Sequence, residues 1–295
     1  MPTFKKTIQI ALLIAGLSFI SFISSAQKKY ATPPVMQANW SEDYEPFRIA
    51  GNLYYVGTYD LACYLIATPK GHILINTGLA TSVPMIRAHV AALGFKFSDI
   101  KILLATHAHY DHVAGMAEIK KLTGAKMMIN EKDAPVLADG GSSDYVFGYK
   151  GSTFEPVKVD RLLHEHDTVK FGGMKIIVLH HPGHTKGACS FLFDVKDEHR
   201  SYRVLIANMP SILDETRFPS MPAYPNVARE YANTFAAMKK VKFDIWLASH
   251  ASQFGLHQKH KPGDAYNPKA FIDPVGYDTA LNDLYRAYLK RLDKK

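Results

Sequence analysis

Residues 106–112 read THAHYDH, which packs three imidazoles and a carboxylate into a few positions directly after the apolar run IKILLA at 100–105. Burying that much polarity is costly unless a cation sits among the donors. Nitrogen and carboxylate oxygen are the donor chemistry of zinc, whose catalytic sites keep one coordination position open. With alternate spacing, His107 and His109 point together at one ion, while Asp111 and His112 turn toward a second. A histidine-rich surface loop that binds nothing is the bland alternative in a chain with 14 histidines.

Further donors occur in the same setting. KIIVL at 175–179 runs straight into HHPGHT, which carries His184, and FDIWLA at 243–248 runs into Ser249 and His250. Three strands therefore end in histidine-bearing loops, and an α/β scaffold gathers a site on one edge in this way.

The rest of the chain is organised around such strands. Short apolar runs at 52–57, 62–67 and 72–76, separated by Gly, Pro and Asp, read as an antiparallel meander. Helical spacing at 83–93 and 114–122 ends at Gly94 and Gly124. From about Asp160 strands return at 169–171, 175–179, 189–194 and 202–207, then a helix at 226–240, a last strand and a helix near 278–292. Two halves of strands followed by helix predict an α/β chain built as an αββα four-layer sandwich, with the ligand loops meeting at one rim. The Gly- and Ser-rich stretch 138–151 is the expected mobile loop. Its alternating Tyr145, Phe147 and Tyr149 are either an apolar wall over a substrate or core.

The first 26 residues follow a secretory signal pattern: Lys5 and Lys6, an apolar run at 8–23, then Ser24, Ser25 and Ala26. That run is shorter than a bilayer span and interrupted by Gln9, Gly16, Ser18 and Ser21, so cleavage is preferred over an uncleaved anchor, leaving one domain over 27–295. The expected destination is the periplasm, with no stable membrane association after cleavage. Cys63 and Cys189 lie in apolar strand-like stretches and read equally as a pair or as two buried thiols. The net charge of +8 comes without a continuous basic stripe, which argues against nucleic-acid binding.

At these residues the chain resembles the metallo-β-lactamase superfamily, whose hallmark H-x-H-x-D-H is followed by two later single histidines. YEPFRIAGNLYYVGTYDLA, HHPGHTKG, VLIANMPS, AYPN and FDIWLASHASQF are similar to GOB-type members of the third subclass of class B β-lactamases. The resemblance implies two zinc ions per chain, one on His107, His109 and His184 and one on Asp111, His112 and His250. It implies a monomer that hydrolyses small β-lactams (penicillins, cephalosporins, carbapenems) with a metal-activated water that Asp111 orients, and Ser211 as a contact for the substrate carboxylate. A loop-capping hydroxyl is the alternative for Ser211.

Three departures from the usual patterns stand out. His107 stands where GOB-type enzymes tend to carry Gln, so the first site looks more complete than theirs, and both sites are expected to fill. Asn208 and Met209, a feature shared with the GOB type, stand where many relatives in the subclass have an acidic residue and a serine, and Met209 is expected to pack beside the second metal. Asn76 stands where the superfamily often has Asp, and its amide is expected to orient a neighbouring imidazole. Thioester and lactone hydrolases of the same fold use a carboxylate bridging both metals after the strand RVLIANMP, which Asn208 and Met209 do not supply. A non-enzymatic zinc-binding protein of the envelope is a further reading, and structural zinc sites are normally closed by four protein donors. His164 and His166 read as a solvated turn, and His72, His89, His199, His257 and His260 as scattered. Of His180 and His181 at most one faces the metals, His181 as an outer support.

Overall fold

The computed structural model describes residues 30–218 and 221–293, so the signal-peptide expectation lies outside the described residues. Strands β1 (Phe47–Ala50), β2 (Leu53–Tyr55), β3 (Tyr64–Thr68), β4 (Gly71–Ile75), β5 (Ile100–Leu104), β6 (Lys126–Asn130) and β7 (Arg161–Leu163) form one sheet in that order. The first four are the antiparallel meander, and β4 to β7 run parallel. Helices α1 (Val83–Ala92), α2 (Tyr110–Val113), α3 (Met116–Thr123) and α4 (Ala134–Ala138) fall in the connections, so the parallel part is built by crossovers. The second sheet holds β8 (Thr168–Phe171), β9 (Met174–His180), β10 (Cys189–Lys196), β11 (Ser201–Ala207) and β12 (Ile245–Ala248), with β12 parallel to β11 and the rest antiparallel. Helices α5 (Val227–Met238), α6 (Leu256–Lys259) and α7 (Pro274–Leu292) complete the chain.

One hydrophobic cluster joins the facing sides of both sheets, including Leu65, Leu74, Leu103, Phe191, Val204 and Trp246, and the layers are the expected αββα sandwich. Strands that lie in this cluster read as continuous apolar runs, because both their faces are covered: β12 is buried at every position. The boundary between the two sheets differs from the sequence reading. The chain does not leave the first sheet at Asp160; β7 adds one more parallel strand there, and the crossing is made in the HEHD turn, where His164 and His166 are exposed. Cys63 and Cys189 are both free, buried thiols. Among the described residues, no helix is long and apolar enough to cross a membrane.

Candidate metal centre

Three strand ends deliver the donors. After β5 the chain enters His107 and His109, and the first turn of α2 carries Asp111 and His112; the loop after β9 brings His184; the residue pair after β12 brings His250. The structure brings all six together. His107, His109 and His184 each offer a ligand atom within 4.8 Å of the others, and His107, Asp111 and His112 do the same. Oδ2 of Asp111 lies 3.2 Å from Nε2 of His112 and 3.4 Å from Nε2 of His250, with the two rings 4.9 Å apart. These side chains are buried, His250 partly so.

The donor set fits a metal pair. Nε2 of His107 and Nδ1 of His112 are buried without a hydrogen-bond partner, and Nε2 of His112 faces only the Asp111 carboxylate, an arrangement that costs stability unless something electrophilic meets these nitrogens. Burial, reinforced by the neighbouring imidazoles, holds His107 well below the ordinary histidine range and takes His184 down to about 3. Those rings are neutral and ready to ligate. Burial also opposes ionisation of Asp111, yet His112 and His250 overcome it and hold the carboxyl well below its usual range.

Around the six donors stands a ring of orienting groups. Nδ1–H of His184 donates to the Ser211 carbonyl at 2.9 Å, and the Ser211 hydroxyl lies 3.2 Å from the same nitrogen. Asp144 lies 3.4 Å from Nε2 of His109 and is fixed by the amides of Val146 and Phe147. Nδ1–H of His250 donates to Asp60 at 3.1 Å. Asp133 accepts from the Ala108 amide, the Thr185 hydroxyl and the Gly187 amide. A carboxylate or carbonyl behind an imidazole fixes its tautomer and raises its basicity toward a metal.

Asn76 acts one step removed from the expected contact. Its backbone has φ +60°, a left-handed conformation that Asn tolerates better than most residues, and this aims the amide at Thr106. Thr106 donates its backbone N–H to Oδ1 of Asn76 at 3.0 Å, and its hydroxyl lies 3.3 Å from Nδ1 of His107 and 2.9 Å from the Ser249 hydroxyl. Met209 is buried at the end of β11, and the Asn208 amide N–H donates to Ser190, whose hydroxyl meets Nδ1 of His181 at 2.7 Å. His181 is thus an outer support of the β11 end, and neither it nor His180 joins a ligand group.

The stretch 138–151, expected to be mobile, is pinned. Asp144 ties it to His109, and the Tyr145 hydroxyl donates to the Gly183 carbonyl at 2.9 Å beside His184. Of the three aromatics, Phe147 stands 5.1 Å from the His109 ring, Tyr145 braces the His184 loop, and Tyr149 is 68% exposed. Sequence reasoning missed Asp60, Asp133 and Asp144 altogether. The available signal was three aspartates in loops flanking apolar segments, at TYDLA, EKDAP and SSDYV.

The description "Metallo-beta-lactamase superfamily" matches residues 57–197. The class B3 di-zinc metallo-β-lactamase LRA-12 from an Alaskan soil metagenome is 62% identical with a TM-score of 0.87, over 89% of this chain and 100% of that one. The metallo-β-lactamase GOB-18 from Elizabethkingia meningoseptica is 54% identical with a TM-score of 0.89, over 91% of this chain and 99% of that one. A hydroxyacylglutathione hydrolase of Rhodopseudomonas palustris (strain BisB5) is 32% identical over 131 residues, 44% of this chain, and the chain spans only 42% of that relative's length. With this fold and this donor set, the chain belongs to the metallo-β-lactamase superfamily. Within the superfamily it falls in class B3, beside relatives whose own chains are matched almost in full, over 89% and 91% of this one.

Proposed function

We propose that this chain is a two-zinc β-lactamase of the periplasm, acting as a monomer after signal cleavage, that opens the amide of penicillins, cephalosporins and carbapenems. The observation that carries the reading is the convergence of His107, His109, His184, Asp111, His112 and His250 around buried, unpartnered nitrogens. Bound zinc would supply an activated water and polarise the lactam carbonyl. His107, His109 and His184 would hold one ion, and Asp111, His112 and His250 the other. Asp111 would also orient the attacking water by accepting its hydrogen. Phe147 and Tyr110, whose rings stand 6.0 Å apart, would keep bulk water from the His109 side. Ser211, half-buried beside His184, would meet the substrate carboxylate. Water adds across the C–N bond, leaving a carboxylate and a protonated ring nitrogen.

A thioester hydrolase is the less supported reading. Asn208 and Met209 at the end of β11 place no carboxylate where such an enzyme bridges its metals. Hydrolysis of a chromogenic cephalosporin, abolished by EDTA and restored by zinc, tests the proposal. Asp111→Ala and His112→Ala should lose turnover and keep the fold; full turnover in either, or no hydrolysis by the zinc-loaded native protein, overturns it.

A further inference from the structure

The segment leading into the first strand is built into the site. Tyr110, between the ligand candidates His109 and Asp111, donates its hydroxyl to the Val35 carbonyl at 2.6 Å, and the same oxygen lies 3.3 Å from the Val35 amide. The Ala31 amide donates to Ser152 at 2.8 Å, the Tyr59 amide donates to Glu42 at 2.8 Å, and Asp43 reaches Nε2 of His89 at 2.8 Å. Between these ties sits Trp40, 5% exposed, closing the single helical turn Ala38–Trp40.

Trp40 does more than fill space there. Its Nε1–H donates to Oδ2 of Asp60 at 3.2 Å, the oxygen that also accepts from Nδ1 of His250 at 3.1 Å, while Oδ1 of Asp60 accepts the Ser252 amide at 2.9 Å. With three donors around it, the Asp60 carboxylate has little freedom to turn. The indole lies 5.7 Å from the His250 imidazole, tilted 43° to it, so the ring is held from the side as well as from behind. His250 has no other side chain fixing its Nδ1 edge among the described residues.

We propose that Trp40 is a positioning residue for the second metal: its indole fixes Asp60, Asp60 fixes the tautomer and direction of His250, and zinc affinity at Asp111, His112 and His250 depends on the docked 31–42 segment. This rests on the two-metal reading and adds to it a residue that touches neither metal nor substrate. Losing an outer hydrogen-bond partner of a ligating histidine typically weakens metal binding by about 10- to 100-fold. Trp40 is one bond further out, so its effect should be smaller.

The test is zinc affinity at each site, measured by competition with a chromophoric chelator, alongside the visible spectrum of the cobalt-substituted protein. Trp40→Phe keeps the ring and removes the donor; it should weaken the second zinc by about 3- to 10-fold and leave the first unchanged. Asp60→Asn should weaken the same zinc by about 10-fold or more, with the cobalt bands of only that site shifted. Native protein binding two zinc ions, with Trp40→Phe binding both as tightly, overturns this inference alone. Equal loss at both sites, a sign of general loosening, overturns it too. Native protein that takes up a single zinc strikes the two-metal reading itself.

Discussion

The amide of Gly187 donates to Oδ1 of Asp133 at 2.7 Å, and Oδ2 of the same carboxylate accepts the Ala108 amide at 2.9 Å, so one side chain clamps the His107–His109 loop to the His184 loop. The approach is close enough that a β-carbon on residue 187 would come within 2.5 Å of the Asp133 backbone nitrogen. Asp133→Ala leaves two buried amides unpaired, at about 1 to 3 kcal/mol each. Urea unfolding of the zinc-free protein should show a loss of about 2 to 5 kcal/mol. A loss below about 1 kcal/mol would mean that water or relaxation replaces the clamp.

Gly183 has φ +132°, and a β-carbon there would meet the Tyr231 ring at 2.8 Å. Both the strain and the clash bear on the peptide that precedes His184. Gly183→Ala should therefore lower stability by about 1 to 3 kcal/mol and weaken first-site zinc while sparing the second, as chelator competition would show. Equal zinc binding at both sites would contradict this.

His250 sits between two carboxylates. Burial works against its charge, but hydrogen bonds to Asp111 and Asp60 win and push it up to about 9. The metal-free ring is therefore protonated at neutral pH, and zinc must displace the Nε2 proton while Nδ1–H stays on Asp60. A raised value means that affinity falls as pH drops below about 9, by roughly tenfold per unit for one displaced proton. Titration of second-site zinc between pH 6 and 9 should give that slope, with proton release visible in buffers of different ionisation heat. A flat profile would contradict it.

His107→Gln places in the first site the amide that GOB-type relatives tend to carry. Metal analysis should fall from two zinc ions per chain to one, with the remaining ion on Asp111, His112 and His250. Retention of both ions would show that His107 is not needed to hold the first.

Much of this was legible in the sequence, for physical reasons. The six donors follow strand ends, and the apolar runs IKILLA, KIIVL and FDIWLA announce both the strand and its rim, whether the strand is buried throughout, as β12 is, or mainly on one face, as β9 is. What stayed hidden has no local pattern. Asp60 meets His250 across 190 positions and Asp133 meets Gly187 across 54, and a lone carboxylate in a loop carries no periodicity to mark its partner. Strands β1, β6 and β7 were missed because β1 and β7 are short and β6 (KMMIN) holds one β-branched residue among its five. The pinning of the Gly-rich stretch likewise depends on Asp144 finding His109, which composition does not show.

The central claim is that two ions are held side by side by donors from three loops. A crystal of the native protein grown in zinc and measured at the zinc absorption edge tests it most directly. Two anomalous peaks are predicted, one against His107, His109 and His184 and one against Asp111, His112 and His250. A single peak, or none when zinc is abundant, would contradict the account.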